Sequence, residues 1–179
     1  MKKLMALLLV LTAVFTLVGC QEEEKGEYTP GMYYASTEGN QSTFGVMFVN
    51  DNGMIEHIFI DSVYLKKSDD GTVQWTSYGN PVSGYATTKM ALDGGWGYHM
   101  FWSNYIATTD APTEAGYKAW LTANSKLEWF QQVQLIIDQV IELQDLPSKT
   151  GEEYDAPTGA TITVSSYYTV IAELLDQAK

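Results

Sequence analysis

The chain has 179 residues, ten basic residues that are all lysine, and 22 acids, which leaves a net charge of −12 at neutral pH. So acidic a surface repels nucleic acid and anionic headgroups, which excludes nucleic-acid binding. Without arginine there is no bidentate guanidinium fork, so a phosphate held here depends on backbone amides, hydroxyls or a covalent bond.

Lys2 and Lys3 open the chain, and Leu4 to Val18 is apolar except for two threonines. That layout reads as a secretory signal, and the apolar run is short for a bilayer span. Its ending, Leu17-Val18-Gly19-Cys20, resembles a bacterial lipobox. The resemblance implies cleavage after residue 19 and a lipid on the Cys20 thiol, an acyl anchor to the membrane on its extracytoplasmic face. The alternative is an uncleaved transmembrane anchor. Cys20 is the single cysteine, so this exported chain has no disulfide to form. Residues 21–29, QEEEKGEYT, are polar and acidic and read as a solvated tether. The expected division is a signal peptide at 1–19, a lipidated cysteine and tether at 20–29, and one domain at 30–179, long enough for its own core.

Within the domain, Phe44, Val46 and Phe48 alternate with Gly45, Met47 and Val49, and Asn50-Asp51-Asn52-Gly53 supplies a turn before a return strand from Ile55 to Ile60. An antiparallel hairpin or meander is expected. A turn at Asp69-Asp70-Gly71 precedes another short strand, and the glycine- and aromatic-rich segment 78–102 reads as a long structured loop with one short helix. Asp110-Ala111-Pro112 predicts a helix start running to about Asn124. Ser125-Lys126-Leu127-Glu128 fits a capping box with Ser125 as cap. The next helix carries Trp129, Val133, Ile136, Val140 and Leu143 on one stripe, widened by Phe130 and Ile137, with Leu146-Pro147 as its end. After the polar turn SKTGEEY, helical spacing of Val164, Tyr167, Tyr168, Ile171, Leu174, Leu175 and Ala178 predicts a C-terminal amphipathic helix against the sheet. The order of elements gives an α+β fold: one antiparallel sheet packed by helices in a single domain.

No GxSxG relates a serine to His57 or His99, and there is no HExxH, cysteine pair or calcium-loop spacing, so no catalytic residue and no metal site is assigned. Five tryptophans and twelve tyrosines are many for this length, and Trp75, Tyr78, Trp96, Tyr98, Trp102 and Tyr105 fall in the loop-rich middle. They serve either core and loop packing or a stacking wall for a flat ligand.

The stretch Asp155-Ala156-Pro157-Thr158-Gly159-Ala160-Thr161-Ile162-Thr163 places hydroxyls on a glycine turn before a helix. Thr161 or Thr163 can cap that helix. The same stretch resembles the flavinylation motif of FMN-binding domains: Asp, two variable residues, Ser or Thr, Gly, Ala, then Thr or Ser. Such domains occur in flavin subunits of the sodium-pumping NADH:quinone reductase and the ion-pumping ferredoxin:NAD oxidoreductase. They also occur in surface lipoproteins of Gram-positive bacteria that take part in extracellular electron transfer. A looser likeness to the lipoprotein branch runs from GYHM, residues 97–100, to KLEWFQQVQLIIDQV, residues 126–140.

The resemblance implies FMN esterified through its phosphate to Thr161 by an FMN transferase, with Asp155, Thr158, Gly159 and Ala160 as the signature read by that enzyme and Thr163 beside it. Pro157 occupies a variable position. Free amides at a helix N-terminus favour the phosphate charge. Trp96, Tyr98 and Trp102 are candidates for stacking on the flavin ring. The implied role is a redox carrier between a quinol- or flavin-linked membrane donor and an external acceptor. Two rivals stand beside it: a binding or assembly lipoprotein that has kept the fold without flavin, and a surface hydrolase or adhesin unrelated to flavin.

Overall fold

The computed structural model describes residues 25–38, 42–63, 66–67, 73–77, 80–82 and 88–179, with 66–82 described as backbone only. The signal segment, Cys20, residues 21–24 and the turn at Asp69-Asp70-Gly71 lie outside the described residues. The end of the expected tether is not solvated but belongs to the domain: Tyr28 is buried in the core, and the Gly26, Tyr28 and Thr29 amides donate to the Asn52, Gly53 and Ala178 carbonyls.

Strands β1 (Gly31–Ser36), β2 (Thr43–Val49) and β3 (Ile55–Ser62) form an antiparallel sheet in that order. The alternation on β2 sets its faces: Gly45, Met47 and Val49 are buried, while Phe48 turns outward beside Met32 of β1 and His57 of β3. The β2–β3 turn works as its sequence demands, with Gly53 at φ 77° and the Asn50 side chain accepting from the Asn52 and Met54 amides at 3.0 and 3.1 Å. Short strands β4 (Lys66–Lys67), β5 (Val73–Ser77) and β6 (Asn80–Val82) make a second antiparallel meander.

Of segment 78–102, residues 78–79 and 83–87 lie outside the described residues, and the rest holds the expected short helix. It contains β6 and a 3-10 stretch, Asp93–Tyr98, broken by left-handed Gly94 and Gly95, and it runs directly into α1 (Trp102–Ile106). Helix α2 spans Glu114–Ala123. Its cap is Thr113, which accepts from the Gly116 amide at 3.0 Å, rather than Asp110. The Thr113 amide is itself held by the Tyr105 hydroxyl at 3.1 Å, so the helix starts only after Pro112.

Helix α3 spans Trp129–Leu143 and starts one turn later than a Ser125 cap requires. Ser125 has φ 50° and is not helical; the box is built by Glu128 as cap with Gln131 returning to its amide. The helix ends at Gln144, left-handed at φ 55°, before Leu146-Pro147 is reached, and Leu143 is exposed rather than part of the stripe. Hairpin β7 (Lys149–Thr150) and β8 (Glu153–Tyr154) turns at Gly151, φ 70°. Helix α4 spans Ser165–Gln177.

Helices α3 and α4 cover one face of the β1–β3 sheet, α4 against β1 and β2 and α3 against β3. The core between them holds Met47, Val49, Ile58, Ile60, Trp129, Ile136, Val140, Tyr168, Ile171 and Leu174. Gly45 permits the close approach: a Cβ there would lie 3.0 Å from Val170 and 3.3 Å from Leu174 of α4. The α+β class is thus observed, with one antiparallel sheet layer and one helix layer. The other face of the sheet leaves Met32, Tyr34, Phe48 and Phe59 exposed.

Candidate functional site

The segment Asp155–Thr163 leaves the β7–β8 hairpin and crosses the N-terminal half of α3 before entering α4. Its start is pinned on both sides. The Asp155 amide donates to the Ser148 carbonyl at 2.9 Å, and its carboxylate accepts from the Thr150 hydroxyl at 2.6 Å. The turn follows, closed by the Ala160 amide on the Pro157 carbonyl at 3.1 Å. Gly159 sits third in it with φ 98°, a backbone state that disfavours any L side chain. It also lies against α3, where a Cβ would come within 3.2 Å of Leu135.

Beyond the turn the chain is held by one buried side chain. The Gln132 Oε1 atom accepts from the Thr161 amide at 2.6 Å, the Thr161 hydroxyl at 3.1 Å and the Ile162 amide at 3.1 Å. Gln132 is 1 % exposed, whereas Thr158, Gly159, Thr161 and Thr163 are all exposed and Ala160 is half-buried. The other end of the Gln132 amide donates to the Leu127 carbonyl at 2.7 Å and approaches the Met100 sulfur at 3.6 Å.

Neither threonine caps α4. Its N-cap is Val164, and no side chain bonds to its first amides. Thr161 lies four positions before Ser165, so the expected cap is not formed and the Thr161 hydroxyl is directed to Gln132 instead.

A buried polar cluster stands behind Gln132. Glu128 is fully buried, and its carboxylate accepts from the Tyr117 hydroxyl, from the Met100 amide at 3.1 Å and from the Trp129 amide at 3.3 Å. Burial, and then the Glu128 hydrogen bond, push the Tyr117 phenol well above its ordinary value, so it stays a donor at any ordinary pH. Lys89 lies over the rings of Tyr98 and Trp129, 4.5 and 4.8 Å from their centroids. Burial lowers its pKa to about 8, against the pull of the Asp61 charge.

The three rings expected to stack on a flat ligand are divided. Trp96 and Trp102 pack around Tyr105, Tyr117 and Leu121, and Tyr98 packs on the main core. Trp102 stacks on His99 at 4.7 Å, and Trp96 meets Phe130 edge-on at 5.0 Å with Lys118 over its face. They form no common wall. A groove of about 710 Å³ opens beside the turn instead, lined among others by Tyr154, Asp155, Ile162, Thr163 and Val164, with Lys149 over the Tyr154 ring.

Gln132 was the residue that periodicity passed over. It lies on the buried stripe between Trp129 and Ile136, and a glutamine at an apolar position is itself the signal that a polar partner must exist. Comparison with known proteins gives no match to a protein-family model, to a curated protein or to a solved structure.

Proposed function

We propose that this protein is a membrane-anchored, extracytoplasmic carrier of covalently bound FMN, with the flavin phosphate esterified to Thr161. The observation that carries the reading is the state of the Thr161 hydroxyl. Thr161 is an exposed residue after a left-handed glycine turn, and its hydroxyl bonds to Gln132 rather than capping the helix that follows. The residues present fit the group. Gly159 keeps the turn flat against Leu135, and Ala160 adds only a methyl beside the threonine.

In the loading step Thr161 Oγ1 bonds to the FMN phosphorus as the pyrophosphate of FAD is split. AMP leaves, and the hydroxyl proton passes to a base of the FMN transferase. No base beside Thr161 is needed in this chain, because the transferase supplies it; the Gln132 amide accepts a hydrogen bond but cannot take the proton. Asp155, Thr158, Gly159 and Ala160 are the segment that the transferase reads. The groove that adjoins Thr163 sets Tyr154, Ile162 and Val164 among mostly polar side chains, Glu152, Glu153 and Asp155 included, so this mixed surface gives the ring apolar contact on one side only. Bound FMN supplies one- and two-electron transfer between a quinol- or flavin-linked membrane donor and an external acceptor. The acyl anchor on Cys20 keeps the domain at the membrane.

The test is the mass of the peptide left by cleavage after Lys149, which runs to Lys179 and contains Thr161. Co-expression with an FMN transferase is expected to add one FMN less one water. Thr161→Ser is expected to keep the addition and Thr161→Ala to abolish it. An unmodified peptide from the parent chain in the presence of an active transferase overturns the reading and favours a flavin-free binding or assembly module.

A further inference from the structure

We infer that Gln132 is the positioning residue for modification of this site: its buried carbonyl oxygen holds Thr161 in the conformation that a phosphoryl-transferring partner requires. The inference rests on the proposed loading of Thr161 and adds a residue that the motif does not contain.

A buried amide on the apolar face of a helix is unfavourable unless each of its polar atoms is bonded. Gln132, at 1 % exposure, meets that condition at its nitrogen through the Leu127 carbonyl and at its oxygen through the modification segment. Its orientation is fixed by chemistry: the Leu127 carbonyl can only accept, and the Thr161 and Ile162 amides can only donate. Nε2 must therefore face Leu127 and Oε1 must face the turn. Leu127 directly precedes Glu128, whose carboxylate is locked by Tyr117 and Met100, so the fork rests on a rigid mount.

Three donors converge on the one oxygen, and two of them belong to Thr161. Its amide fixes the backbone. Its hydroxyl rests on the same oxygen at 3.1 Å and turns from it to the transferase's base when the proton leaves, while the two amide bonds hold the backbone in place. The nucleophile is thereby positioned before any partner arrives, and the ordering entropy of the segment falls on folding rather than on encounter. Esterification removes the hydroxyl proton and with it the bond at 3.1 Å, while both amide bonds persist. The hydroxyl contact thus belongs to the unmodified chain and the amide contacts to both states.

The experiment uses the full chain, purified in detergent, with Gln132→Leu and Gln132→Glu. Leucine has nearly the same volume but accepts nothing; a glutamic acid kept protonated by burial retains the accepting oxygen and donates its O–H to the Leu127 carbonyl. Two quantities are read: the rate of FMN addition to the 150–179 peptide by a purified FMN transferase with FAD, and hydrogen exchange of the 160–163 segment. Gln132→Leu is expected to slow loading about tenfold and to speed exchange of the segment about tenfold, the scale of losing one or two net hydrogen bonds. Exchange in the middle of α3 stays unchanged. Gln132→Glu is expected to restore both to within about threefold of the parent. A packing role alone would leave Gln132→Leu a good substrate. Loading of Gln132→Leu at the parental rate, or exchange of the segment unaltered by it, overturns the inference. If the parent chain itself takes no FMN, the proposed function has failed and the inference falls with it; the parent lane separates that case from the others.

Discussion

The two ends of α3 carry a glutamine each and use it to opposite effect. At the C-terminal end, Gln144 is half-buried and its side chain bonds to backbone alone, to the Ile141 carbonyl of its own helix at 2.7 Å and to both polar atoms of Ile55. It accepts from the Ile55 amide at 2.6 Å and donates to the Ile55 carbonyl at 2.9 Å, as a neighbouring strand would. Its own carbonyl takes the Tyr28 hydroxyl at 3.0 Å, so one residue ties the start of β3 and the start of the domain to the helix. The partners there are backbone atoms and one phenol, all part-buried within the fold. At the N-terminal end, Gln132 collects its donors from a segment whose side chains face solvent. The pair teaches that a buried amide reports only that a segment is pinned. Whether the pinning serves the fold or a reaction depends on what the pinned segment shows to solvent.

That contrast can be broken or sharpened by substitution. The largest effect is expected from Glu128→Ala, which removes the acceptor for Tyr117, Met100 and the first turn of α3. Denaturant titration should show a loss of about 3 kcal/mol, and a loss no larger than that of a surface change would mean that the mount behind Gln132 is not what holds it. Gln144→Ala should cost about 2 kcal/mol and speed exchange of the Ile55 amide, with FMN loading per folded molecule unchanged. Gln132→Leu should invert this, costing only about 1 kcal/mol while loading suffers. Equal loading defects in both glutamine variants would erase the distinction.

The smallest effect concerns pH and belongs to the N-terminal end, where Lys89 lies over Trp129. Its pKa is about 8 in the folded chain against 10.5 in the unfolded one, so between those values the unfolded chain binds more protons. The contribution of Lys89 to stability therefore rises with pH from about 8 to 10.5, and below that window the full penalty of a buried charge remains. Attraction to the two ring faces and partial exposure reduce the change to under about 1 kcal/mol. Subtracting the unfolding free energy of Lys89→Met at pH 7.5 and 9.5 from that of the parent isolates it; a difference that falls with pH contradicts the assignment.

What was legible in the sequence was what short-range pattern controls. Alternation on β2, the glycine at 53 and the spacing of Tyr167, Tyr168, Ile171, Leu174 and Leu175 each report a local backbone state and a buried face. The helix starts were less legible, because a cap is chosen by tertiary partners. Ser125 has the right side chain, but Glu128 has Tyr117 and Met100 to satisfy its carboxylate. Asp110 lost to Thr113 for the same kind of reason, the Tyr105 hydroxyl waiting on its amide. In the candidate site, the turn from Asp155 to Thr161 could be read from its own residues. Its support could not, since Gln132 lies 29 positions away and declares itself only once α3 and the turn are in contact.

The same separation fixes an order of events. A nascent or misfolded chain contains Thr161 but not the Gln132 oxygen beside it, because the two meet only after α3 has docked and the β7–β8 hairpin has brought the turn across it. On the proposed function, maturation runs in one direction: the chain folds first and takes its flavin second. Colour in a preparation of this protein would then count correctly folded molecules, and a population slow to fold would show itself as a population slow to turn yellow.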